Sequence, residues 1–144
     1  MLAAVAVLAL LAAAALPSLG QWRARTGVAG VAHEFEALLQ GRAHAWATGE
    51  AVHLAFHPAA AGACVLLHTG ERGACRCEVQ PANAACTGQA RLLQQARWAG
   101  ESGVSVSANV ASIQLDALRG TVSPAGTVRV ASAQGPALHQ VVNV

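Results

Sequence analysis

The chain has 144 residues, a formal net charge of +2 and nine basic residues, all of them arginine and all scattered. No basic stripe of the kind that reads nucleic acid is present, so nucleic acid is not an expected partner. Hydrophobic residues reach 54%, but alanine inflates that figure, aromatics are only 3% and tyrosine is absent. A core of Ala and Val buries little area per residue, so the domain needs a further source of stability.

Residues 2–16 are all Ala, Val or Leu, Pro17 ends the run, and no charge precedes Arg23. Fifteen apolar residues fall short of the roughly 20 that span a bilayer. They fit the core of a secretory signal peptide, yet no basic segment precedes them. Ala13-Ala14-Ala15 offers a small-residue cleavage site, whereas Pro17 and the pattern beyond it suit a continuing helix. A buried core helix is the poorest fit, since the run is apolar all round and terminal.

Residues 21–48 read as one amphipathic helix. Val28, Val31, Phe35, Leu38, Arg42 and Trp46 recur at steps of three or four. Gly27, Gly30 and Gly41 weaken it by about 1 kcal/mol each relative to Ala, and the Gly27–Gly30 region is a candidate kink. Packing of Phe35, Leu38 and Trp46 on a sheet, with Phe56, is expected to hold it. Val28, nearer the stalk, is expected to project beyond the sheet. Thr48-Gly49 ends the helix.

After Gly49 the period changes. Val52, Leu54 and Phe56 alternate with Ala51, His53 and Ala55, which predicts a strand. Residues 58–62 read as a turn, 64–68 (CVLLH) as a second strand and 69–88 as a long cross-linked loop. Residues 92–98 fit either a strand or a short helix. Val104, Val106, Ala108 and Val110 predict another strand, and 113–118, 127–130 and 139–144 three more. Gly120 and Pro124-Ala125-Gly126 mark turns. One helix followed by consecutive short strands predicts an α+β fold, with the N-terminal helix on a mainly antiparallel sheet. The divisions are 1–20 (apolar stalk), 21–48 (amphipathic continuation) and 49–144 (β-rich globular part).

Cys64, Cys75, Cys77 and Cys86 are even in number and clustered behind an apolar N-terminus, which points to an exported domain with two disulfides. Four cysteines allow three pairings, and the sequence does not choose among them; Cys75 and Cys77 are too close to bridge each other comfortably, so each is expected to pair outward. Zinc is the competing reading, but the C-x-C step lacks paired C-x₂₋₄-C knuckles. Free thiols are the third.

The residues offer no catalytic set. His53 and His57 would share one face of a strand but sit far apart, and read as surface histidines. His33-Glu34 is not followed by the second histidine of a zinc protease. Glu34 and Glu36 do not face each other on a helix. Neither a Gly-x-Ser-x-Gly elbow nor a phosphate loop occurs. The chain is therefore read as a non-enzyme with no cofactor and no metal.

Residues 2–19, LAAVAVLALLAAAALPSL, resemble the N-terminal helix of type IV pilins and pseudopilins. Those proteins carry an apolar run, a helix-kinking Pro, a small polar residue and an amphipathic continuation; Pro17-Ser18-Leu19 stands at that place. The order of later segments is similar to the GspH/FimT family. Residues 42–54 (RAHAWATGEAVHL) resemble its helix end and first strand. Residues 113–130 (IQLDALRGTVSPAGTVRV) resemble its strand, Arg-Gly turn and Pro-x-Gly hairpin, and 138–144 (LHQVVNV) its late strand. The stretch GACVLLHTG from Gly62, with CRC behind it, looks like a recurring subgroup version.

The resemblance implies a pilin-like fold and a minor pilin or pseudopilin. Such a subunit sits in the bacterial inner membrane with its domain in the periplasm. It assembles through its N-terminal helix, at the tip of a type IV pilus or type II secretion filament. The implied partners are other pilins, the inner-membrane assembly platform and prepilin peptidase, with leader cleavage and methylation. Family members begin with a basic leader and Gly-Phe-Thr-Leu-Ile-Glu, which this sequence lacks. Aligned on Pro17, that Glu falls just before Met1, so the true start is expected upstream. Relatives also continue past the last strand into a Gly-Arg tail, and DNA contact through that tail is not carried over. The alternative is a small disulfide-bonded periplasmic binding domain with an ordinary signal peptide.

Overall fold

The computed structural model describes residues 2–40, 42–59, 62–78, 84–100, 103–116, 118–133, 135 and 137–143, with side chains from Leu19 onward except at 42, 45, 46, 59 and 99. Helix α1 runs Leu2–Leu39 and α2 runs Arg42–Thr48. The strands are β1 (Val52–Ala59), β2 (Gly62–Thr69), β3 (Cys75–Cys77), β4 (Ala84–Cys86), β5 (Leu92–Ala99), β6 (Val104–Ala108), β7 (Ser112–Asp116), β8 (Thr121–Ser123), β9 (Gly126–Ser132) and β10 (Ala137–Val142). They form a five-stranded sheet in the order β5-β2-β1-β7-β8, a three-stranded sheet β10-β9-β6 and the pair β3-β4. Each of these pairings is antiparallel. The architecture is α+β, one N-terminal helix packed on antiparallel sheets. Among the described residues no helix is long and apolar enough to cross a membrane. The apolar run at 2–18 lies outside the residues whose side chains are described.

The helix is not continuous to Thr48. Gln40 N donates to both Glu36 O (3.3 Å) and Ala37 O (3.2 Å), and Ala43 N donates to Gln40 O at 2.9 Å. That sharing of bonds tightens the end of α1 and starts α2 afresh. The break lies beside Gly41, itself outside the described residues, and a glycine just past the last turn is the usual helix terminator. Gly49, at φ +70°, ends α2 in the left-handed conformation expected of it. At Gly27 and Gly30, in contrast, α1 runs straight through. A Cβ on Gly27 would stand 3.2 Å from Val104 Cγ2. Gly27 therefore lets the helix lie close on β6.

Val28, Val31, Phe35 and Leu38 are buried and share one core with Val52, Leu54, Val65, Leu67, Ile113, Leu115, Val128 and Val130. The core thus lies between α1 and both larger sheets. Phe56 packs against it half-buried, its ring centroid 6.1 Å from that of Phe35. The side chain of Trp46 lies outside the described residues, as does that of Pro17 within α1. Val28 does not project beyond the sheet. Only 1% of it is exposed, because β6 and β9 reach further along the helix than the first predicted strand does.

The expected turn at 58–62 changes: β1 runs to Ala59 and Pro58 pairs with Ala63, while residues 60 and 61 lie outside the described residues. Phe56 N donates sideways to Ala111 O at 2.8 Å, away from β2. Pro58, two residues on, would direct its missing N–H to the same side, where the β7 pairing ended at Ala55. Proline is tolerated in a strand at such an unpaired position. Residues 92–98 resolve as strand, paired along β2.

Phe35→Ala should cost about 3–5 kcal/mol and Val28→Ala about 2 kcal/mol, both read from chemical unfolding of a truncated form, residues 21–144. Two changes within 0.5 kcal/mol of wild type would mean that α1 is not the spine of the core.

Candidate functional site

The outer face of the β1–β2 hairpin is the most chemically unusual part of the molecule. Along β1, Val52, Leu54 and Phe56 turn to the α1 core, so His53, Ala55 and His57 turn away. Along β2, Ala63, Val65 and Leu67 face the core, so Cys64, Leu66 and His68 face outward. β2 is nonetheless buried on both sides. The segment expected to be a loop at 69–88 supplies the cover: it contains β3 and β4, which pair Cys75 with Cys86 in register. Ala55, Cys64, Leu66 and Cys75 form a second, smaller core beneath it.

Two disulfides hold this cover. Cys64–Cys77 ties β3 to β2 across 13 residues, and Cys75–Cys86 closes the β3–β4 pair across 11. Both partners of the C-x-C step pair outward. A two-stranded pair of three residues each has too little surface to be stable alone. Cross-linking loops of this length removes about 3 kcal/mol of chain entropy from the unfolded state per bridge.

Three histidines lie under or beside that cover. His53 pairs across the strands with His68. Their rings stack at 5.5 Å between centroids. His53 is 5% exposed and His68 0%, so the reading of His53 as a surface residue is corrected: it is buried, stacked on His68 with Gly70 and Arg72 nearby. His68 Nδ1 lies 3.0 Å from Thr69 O, to which it donates, leaving Nε2 as a buried atom without a partner. His53 Nδ1 and His57 Nε2 are likewise buried and unpartnered. Burial lowers the pKa of His53, helped by the neighbouring His68 and Arg72. Burial also lowers that of His57, opposed by a backbone hydrogen bond at Cys75 and helped by Arg76. Among the described residues, no group of three His, Cys, Asp or Glu could hold a metal ion.

On the opposite side of the molecule, Trp98 Nε1 donates to Glu34 Oε2 at 2.6 Å. That bond pins β5 to α1 and satisfies the polar tip of a buried indole. Sequence reading found neither partner of it. The only signal was the register of Glu34 beside the apolar stripe, and that pattern fits a solvated glutamate equally well. Arg91 and Glu50 meet at 2.9 Å with both side chains well exposed, a contact of little energetic weight. A cavity of about 330 Å³ lies between the end of the β1–β2 hairpin and the β6–β7 connection. Its lining includes Phe56, Pro58, Val106, Ala108 and Val110, with His57 at its wall.

No family model, curated protein or solved structure matches this chain.

His53 and His57 make the hairpin acid-sensitive. Folding favours their neutral form, so the unfolded chain binds protons more tightly. Stability is full above the ordinary histidine value of about 6.5 and falls as pH drops through the lower folded-state values. His53→Gln should flatten this dependence in unfolding midpoints measured between about pH 7 and pH 5. An unchanged slope would show that His53 is not buried as described.

Denatured, unreduced protein should yield no reactive thiol. Cys75→Ser with Cys86→Ser should lower unfolding stability by about 2–4 kcal/mol. Recovery of reactive sulfhydryls from the unreduced wild type would contradict the paired state.

Proposed function

We propose that this chain is a non-enzymatic structural subunit of a type IV pilus or type II secretion filament, a minor pilin or pseudopilin of the GspH/FimT type. One observation carries the reading. The helix that begins with the charge-free run at 2–16 is the same helix whose later turns close the core through Val28, Val31, Phe35 and Leu38. A cleaved signal peptide has no reason to continue into the spine of the mature domain. A filament subunit does, because its stalk must be held rigidly to the part it carries. The antiparallel sheets and the outward disulfides are in keeping with an exported domain of this kind.

In this reading the stalk waits in the inner membrane, where a helix satisfies its own backbone hydrogen bonds. On assembly it exchanges lipid for the stalks of neighbouring subunits. Its small alanines permit close approach of helices. The domain faces the periplasm and selects the neighbours it accepts. The GspH/FimT resemblance and the pilin-like fold belong to this proposal.

Ala9→Asp tests it. A carboxylate in mid-bilayer costs about 3 kcal/mol on insertion scales. The variant should lose membrane retention or filament incorporation while its domain stays folded by circular dichroism. Normal incorporation would sink the assembly reading. Recovery of a soluble wild type whose N-terminus begins after Ala15 would favour the secreted binding domain instead.

A further inference from the structure

Among the described residues, the side chain of Trp22 has no hydrogen-bond partner and is not part of the core. It is 63% exposed and Leu19 51% exposed, although both are large and apolar. The buried stripe of α1 starts at Val28. At about 100° per residue, Trp22 lies about 160° and Leu19 about 140° round the helix from the centre of that stripe. Both therefore turn away from the sheets. The helix leaves the globular part nearby, where Ala24 Cβ stands 2.8 Å from the ideal Cβ position at Gly135. Arg23 and Arg25, on either side of Ala24, are exposed. Neither makes an ion pair among the described residues.

These residues sit where the charge-free run ends. Leu2 and Trp22 belong to one continuous helix, and Arg23 is the first charged residue after that run. An indole is amphipathic, with an apolar body and one N–H, and is enriched where hydrocarbon meets headgroups. Free guanidinium groups one and three residues on complement lipid phosphates.

We propose that Trp22, with Leu19 below it and Arg23 and Arg25 above it, is an interfacial anchor that docks on lipid headgroups and sets how deeply the stalk sits before assembly. This rests on the filament-subunit reading. The occupant is a lipid surface because the patch continues the apolar run directly and its only charges are cationic. A neighbouring subunit's helix would not need the paired arginines at that level. The anchor also fixes the height of the domain: with Trp22 at the headgroups, Ala24 and the β9–β10 turn lie just above the membrane.

The test uses the full chain reconstituted in vesicles of phosphatidylethanolamine and phosphatidylglycerol. The lipids carry bromine either near the headgroup end or near the methyl end of the acyl chains. Tryptophan emission is compared between wild type and Trp22→Phe, a change at an exposed site that leaves Trp98 untouched. Quenching by the shallow bromines should exceed that by the deep ones, and Trp22→Phe should abolish the difference. Unfolding of the domain should be the same in both proteins. A chain that floats with the vesicles but shows no shallow quenching, equal quenching in Trp22→Phe, or strongest quenching from the deep bromines overturns the anchor and leaves the subunit reading standing. Failure of the chain to float with vesicles overturns both.

Discussion

The structure depends on one contact, the seat of α1 on two sheets at once. With so few aromatic side chains, the two larger sheets share their core with α1. The inner faces of β1, β2 and β7 present Val, Leu and Ile, and those of β9 and β6 present Val. Phe35 and Leu38 fill the space between these faces, and both are fully buried. Removing the helix would expose the inner sides of both sheets together. That is why glycine is tolerated at position 27: the propensity it costs, about 1 kcal/mol, is offset by a closer approach to Val104.

The same poverty of large residues explains the cysteine hairpin. The outer face of β2 carries Leu66 and Cys64, and an exposed apolar face of that kind invites association. A second helix would be the usual cover. Here a short hairpin does the work, and its own buried area is too small to hold it in place. Covalent bonds substitute for area. Arg72 stands near His53 and Arg76 near His57, and each has the sign that opposes protonation of that histidine.

How much of this is legible in the sequence follows from which signals are local. Alternation at Val52, Leu54 and Phe56 is local, and so is that at Val104, Val106 and Ala108; both form strands, though β6 ends at Ala108, short of the expected Val110. The stripe at Val28, Val31, Phe35 and Leu38 is local too, and it forms the buried face. The break at Gln40 was weakly visible as Gly41, but a single glycine leaves a helix or ends it according to tertiary context. The burial of His53 and the cover of CVLLH by residues 75–86 depend on contacts between distant segments. CVLLH did hold a clue: a run without alternation is the mark of a strand buried on both faces. The burial of Val28 was missed for the same reason, since β6 and β9 lie roughly a hundred residues away.

The break between α1 and α2 divides the labour of the helix. Upstream of it, Val28 to Leu38 bind α1 to the sheets over about three turns, at about 5.4 Å each. Downstream, α2 lies against β7 and brings the chain to Gly49 and into β1. In the proposed reading, force on the stalk enters the domain through the upstream segment alone. It is resisted there by the buried stripe and by the Trp98–Glu34 hydrogen bond, which ties α1 to the edge strand β5. That bond carries a carboxylate acceptor, which makes it stronger than a neutral pair. It also lies on the far side of β2 from β1, so it braces the helix against rotation about the axis that the apolar stripe defines. A stripe of small aliphatic residues can slide; a directional bond at its flank cannot. The domain is thereby fixed to its helix in rotation as well as in height, the condition any subunit must meet if its outward face is to select neighbours.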